Sequence, residues 1–157
     1  MNPRPSWLVI SLRRVWFPPA RSPHLYRRMS LWLKILLVFA AGGTGAACRL
    51  LVETAIRTTG IWMGLATWVI NTVGCFLMGL FAGWVAVSPW GDFDKTAFVM
   101  LTMTGFCGGF STFSTFTLDC VQYYQQGKML TWLILGTMTI FVGLFGCAIG
   151  YYIGKNI

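Results

Sequence analysis

Gly105-Phe106-Cys107-Gly108-Gly109-Phe110-Ser111-Thr112-Phe113-Ser114-Thr115-Phe116 sets glycines, hydroxyls and phenylalanines midway along an otherwise apolar stretch. A helix in hydrocarbon has no water to satisfy loose N–H and C=O groups, so irregular backbone at that depth survives only when buried in protein or lining a wet cavity. The Gly108-Gly109 pair weakens a helix and frees carbonyls, and the following hydroxyls either bond their own helix or point at a guest. The string predicts a helix broken mid-membrane, and with it a site.

Outward from that string the chain is uniformly apolar. Of its 157 residues 56% are hydrophobic and only 10% charged, which places it in a bilayer rather than in water. A span needs roughly 20 apolar residues, and four stretches qualify: about Leu31 to Val52, Ile61 to Val87, Ala97 to Tyr124 and Met129 to Ile153. The connectors, Arg57 to Gly60, Ser88 to Asp92 and Gln125 to Lys128, are short and carry Gly, Pro or Asp, so spans consecutive in sequence run antiparallel. The fold class is an all-α membrane protein of four transmembrane helices, the third broken.

The formal charge of +8 is concentrated at one end. Residues 1–28 hold Arg4, Arg13, Arg14, Arg21, Arg27 and Arg28 without an acid, and read as a basic disordered extension rather than a nucleic-acid arm. In the body, Lys34, Lys95 and Lys155 fall on one side of the membrane and Arg57 and Lys128 on the other. That near-balance barely biases insertion, and copies are expected to enter both ways up, whereas the basic extension would fix one orientation. Met29 directly precedes the first span, so translation is expected to begin there, leaving residues 29–157 as the functional domain. Cys48, Cys75, Cys107, Cys120 and Cys147 lie in or beside apolar spans without paired metal spacing, and read as small hydrophobes.

Polar groups inside the spans supply the candidate site. Span one carries the small-residue run Gly42 to Ala47, suited to close helix packing, then Arg49, which either snorkels to the interface or stands as a fixed charge attractive to anions. Thr67 and Asn71 stack on one face of span two. Asn71 is either interhelical glue or a donor to an anion. Phe113 and Phe116 share a face if helix resumes after the break, and their positive ring edges suit a small dehydrated anion. In span four Thr139 and Gly143 stack one turn apart. Mid-span carboxylates are missing, Glu53 and Asp119 being near span ends, so proton-coupled transport lacks its carrier. Without a nucleophile–base set, metal cluster or phosphate loop, an intramembrane enzyme has little support.

From about Met29 to its end the chain resembles the Fluc (CrcB-like) fluoride channels. The resemblance rests on Gly42-Gly43-Thr44-Gly45-Ala46 with Arg49, on Thr67 with Asn71-Thr72-Val73-Gly74-Cys75-Phe76, and above all on Gly105 to Phe116. It implies a dual-topology antiparallel homodimer that exports fluoride passively across the bacterial inner membrane, relieving fluoride toxicity. It also implies a structural Na+ on the two-fold axis, held by backbone oxygens of Gly108 and Ser111. The fluoride pathway would fall on Asn71, Phe113, Phe116, Ser114, Thr115, Thr67 and Thr139, with Arg49 as the vestibule charge. Ser111 stands where the family usually has threonine, and Leu135 and Gly143 stand where tyrosine and serine are frequent. The rival readings are a small dual-topology proton-coupled drug antiporter and a non-transporting assembly subunit.

Overall fold

Ser30 starts the first helix: its backbone is extended and its hydroxyl accepts a hydrogen bond from the Leu33 N–H at 3.2 Å. The computed structural model describes residues 29–60 and 63–157; the expected basic extension over residues 1–28 lies outside them. α1 spans Leu31–Thr58, six residues beyond the Val52 expected from hydropathy. Nothing from Glu53 to Thr58 breaks a helix, and the stop comes at Gly60, whose φ of 68° only glycine adopts easily. At about 1.5 Å per residue α1 is about 42 Å long, so it exceeds the hydrocarbon core and projects from it.

α2 runs Met63–Val87 and ends before Ser88-Pro89. α3, Asp92–Phe98, follows Gly91 and carries Asp92 and Asp94 in its first turn, where they oppose the positive end of the helix dipole. Winding then continues without a gap through a wider π-helical segment, Val99–Cys107, into α4, Gly108–Phe110. The third helical stretch therefore starts five residues before the expected Ala97. α5 covers Phe113–Gln125; Gly127 (φ 70°) turns the chain, and α6, Met129–Lys155, completes it.

All elements among the described residues are helical, and four stretches, Leu31–Thr58, Gly64–Val87, Asp92–Gln125 and Met129–Lys155, are long and apolar enough to cross a membrane. Their outer surface is rich in large apolar side chains: Trp32 is 76% exposed, Phe39 80% and Leu130 71%. In water such a surface would be an aggregation site; in lipid it is the solvated face. The chain is a multi-pass membrane protein.

The most extensive interface joins α2 and α6, which are not consecutive in sequence. A Cβ built on Gly79 would overlap the Cys147 carbonyl, and one on Gly83 the Tyr151 carbonyl; reciprocally, Gly150 meets the Phe76 carbonyl and Gly154 that of Leu80. The partners advance together in steps of four, so the two helices are parallel and lie backbone against backbone. Without a hydrophobic driving force between helices in lipid, this close approach of small residues supplies the packing energy. α1 meets the third stretch similarly: Gly45 faces the Phe106 carbonyl, and Gly109 faces that of Gly42.

Candidate functional site

The helix is interrupted at Ser111 and Thr112, whose backbones are extended (ψ 156° and 115°), and not at Gly108-Gly109, which remain helical. Gly109 is glycine because Gly42 of α1 leaves no room for a side chain there. The interruption is stitched by Asn71 of α2. The Thr112 N–H donates to Asn71 Oδ1 at 2.8 Å, and Asn71 Nδ2 donates to the Thr112 carbonyl at 3.0 Å. One carboxamide thus pairs both backbone groups of Thr112, which a buried backbone requires. In an unbroken helix that same N–H would serve the Gly108 carbonyl; here it is diverted.

Thr112 also caps α5: its Oγ1 accepts from the Thr115 N–H at 3.2 Å and lies 3.1 Å from Thr115 Oγ1 and 3.2 Å from Ser114 Oγ. The first turn of α5 carries neither acid nor base, so its unpaired N–H groups and the positive dipole end are uncompensated by side-chain charge. That end opens beside Phe113 and Phe116, whose ring centroids are 5.8 Å apart at 46°.

A groove of about 430 Å³ runs along this junction, lined by Asn71 and Cys75 of α2, by Ser111, Thr112, Phe113 and Phe116, and by Thr139, Gly143 and Cys147 of α6 among others. The groove brings together Asn71, Phe113, Phe116, Thr139 and Ser111. Phe116 is buried, whereas Phe113 is 75% exposed. Ser114 and Thr115 stand at the cap rather than in the groove lining. Thr139 is buried and donates to the Leu135 carbonyl of its own helix at 2.7 Å. Gly108 is exposed, and Arg49 is half-buried on α1 outside the groove lining.

Thr67 is buried and donates to Asp119 Oδ2 at 2.6 Å. Asp119, placed by sequence near a span end, is itself only 9% exposed; it lies six residues into α5, in the second turn after the interruption, with α2 packed against it. A span count alone hides this carboxylate because it measures position from the connector and not from the break. Thr112, Cys75 and Cys147 also line the groove, outside the pathway that the resemblance implies. Helical periodicity carries the signal for two of them, since Cys75 follows Asn71 by four and Cys147 follows Gly143 by four.

Residues 36–151 match the sequence model of the family described as CrcB-like protein, Camphor Resistance (CrcB). A curated fluoride-specific ion channel FluC from Azobacteroides pseudotrichonymphae is 37% identical over 119 residues, covering 75% of this chain and 93% of its own length. Proteins of the same name from Escherichia coli and Gloeothece citriformis are 37% identical over 112 residues and 33% identical over 126 residues. These alignments cover 71% and 79% of this chain, and 83% and 98% of the relatives.

Proposed function

The chain belongs to the CrcB-like family, and on that premise we propose that it is a passive, fluoride-selective channel, not an enzyme, exporting fluoride across the plasma membrane of a bacterium. The observation that carries this reading is the junction at Ser111–Thr112: a positive helix end without a neutralising acid, a carboxamide and two phenylalanine rings converge on one groove. Fluoride is small and strongly hydrated, so its water must be replaced by donors. Asn71 Nδ2 carries a second hydrogen beyond the one given to Thr112, the α5 terminus offers backbone N–H groups, and the ring edges of Phe113 and Phe116 add weak positive potential. None of these holds an anion tightly, which suits conduction. Ser114 and Thr115 extend the donor track. Thr67 and Thr139 spend their hydrogens on Asp119 and Leu135, and of the two only Thr139 lines the groove, so Thr67 belongs to the pathway less directly.

The interruption is read as a mid-membrane break in the third span, and the functional unit as an antiparallel, dual-topology homodimer. The exposure of Phe113 and Gly108 and the near-balanced flanking charges of residues 29–157 support a second copy against this face. Na+ fits the junction: the carbonyls of Gly108 and Ser111 are hard oxygen donors of the type that alkali ions take, and Gly108 has lost to Asn71 the N–H of Thr112. Bound there, the ion would supply fixed positive charge between two copies. Arg49 is assigned to draw anions toward the entrance.

Electrode-monitored fluoride efflux from liposomes containing the purified chain, with chloride as control, tests the reading. Rapid fluoride release without chloride release is expected; release no faster than from empty vesicles overturns it.

A further inference from the structure

Two thiols on the groove wall take no part in the steps above. Cys75 follows Asn71 by one turn of α2, Cys147 follows Gly143 by one turn of α6, and both are half-buried, reduced and line the groove. Gly143 creates the space between them: a Cβ there would lie 3.2 Å from Cys75 Sγ, so the sulfur leans across the interface into the room a side chain would fill. The main-chain carbonyl of Cys147 abuts Gly79, one turn along α2 from Cys75. In two parallel helices the two cysteines are therefore offset by about one turn, about 5.4 Å along the axis. Two metal–sulfur bonds of about 2.3 Å each, the length of a zinc–thiolate bond, span about 4.6 Å, which side-chain rotation at each cysteine brings within reach.

We propose that Cys75 and Cys147 form a binding site for a soft, two-coordinate metal cation, and that its occupation closes the groove to fluoride. This regulatory site rests on the channel reading for its effect, though not for its existence. Thiolates select soft ions, whereas the neighbouring oxygens of Asn71, Ser111, Thr112 and Thr139 do not. Each thiol gives its proton to water as its sulfur–metal bond forms, and no electrons change hands. The bridging ion sits on the groove wall that Cys75 and Cys147 share with Phe113 and Phe116, where it narrows the passage.

The probe is mercuric ion, added to fluoride-loaded liposomes containing the full chain, with each protein compared with its own untreated rate. Wild-type efflux should fall about tenfold or more, as expected for an occluded pore, and recover with dithiothreitol. Cys48→Ser should remain sensitive, whereas Cys75→Ser and Cys147→Ser should each be resistant, because a linear bridge needs both sulfurs. In parallel, mercuric ion should protect both cysteines of the purified wild type from N-ethylmaleimide, read peptide by peptide by mass spectrometry. That second measurement needs no substitution and no flux. A fluoride-releasing wild type that mercuric ion does not slow overturns the proposal, as does inhibition that survives in the Cys75→Ser/Cys147→Ser double variant. If untreated wild type releases no fluoride, the channel reading fails; unprotected cysteines then overturn the metal site, and protection of Cys147 that is lost in Cys75→Ser upholds it, whereas protection that persists there overturns the bridge.

Discussion

Replacing Asn71 by alanine removes both partners of the Thr112 peptide at once. The two hydrogen bonds, at 2.8 and 3.0 Å, are the ones that hold Thr112 extended. Each backbone group left unsatisfied in a buried setting costs about 1–3 kcal/mol, so the pair costs about 2–6 kcal/mol. Thr112 is 6% exposed, but Asn71 is only half-buried and water can enter the space it vacates, which favours the lower end. A penalty of about 2 kcal/mol corresponds to about a 30-fold loss in the population of the extended junction, and efflux through the groove should fall by a similar factor. Hydrogen exchange at the Thr112 amide gives an independent reading, because its protection in the wild type comes from the Asn71 side chain and not from a helical carbonyl. Asn71→Ala should accelerate that exchange by the same factor. Wild-type efflux together with unchanged Thr112 protection would refute both the stitching role and its link to conduction.

Phe113→Ile or Phe116→Ile keeps apolar bulk but removes the ring edges, and is expected to suppress fluoride efflux while the proposed dimer persists on gel filtration; normal flux in both removes the aromatic mechanism. Gly79→Ala drives a methyl into the Cys147 carbonyl and should destabilise the bundle by about 1–3 kcal/mol in thermal unfolding followed by tryptophan fluorescence. Gly136→Ala meets nothing within 4 Å and should be neutral or stabilising by up to about 1 kcal/mol; equal behaviour of these two variants would contradict the α2–α6 packing. Thr67→Val leaves the buried Asp119 without its hydroxyl donor and should cost about 1–3 kcal/mol, whereas Thr67→Ser, which retains the hydroxyl, should melt with the wild type. Exchanging sodium for a bulky organic cation is expected to lower the melting temperature of the proposed dimer, and an unchanged value would count against Gly108 and Ser111 as ligands.

Hydropathy makes the four helical stretches legible because lipid selects for apolar surface on every outward face. It misplaces their ends because ends are set by local chemistry: α1 stops at Gly60, and the third stretch starts at a Gly91 cap followed by two acids. The glycine pair at 108–109 draws attention as the natural weak point, yet those residues serve tight packing against α1 and stay helical. The extended residues are the hydroxyl pair immediately after, and what fixes them there is Asn71, a residue 41 positions away from Thr112. Tertiary pairing of that kind leaves no periodic trace. Spacing places Asn71 and Thr67 on one face, but only the packing of α5 against α2 reveals that Thr67 faces Asp119. The parallel seating of α2 on α6 is likewise written in both glycine patterns, but neither pattern names its partner.

That seating has a mechanical consequence. Four glycines lock α2 and α6 through their main chains, so neither can slide or roll without a carbonyl colliding with the neighbouring backbone. The pair behaves as one stiff beam, carrying Asn71, Cys75, Thr139 and Cys147 on a fixed jaw. The opposing jaw is the extended pair Ser111–Thr112 with the first turn of α5; Asn71 pins Thr112 to the beam, and the Thr67–Asp119 hydrogen bond ties α5 to it further along. Any change in the width of the groove must come from that side, with Asn71 as its latch.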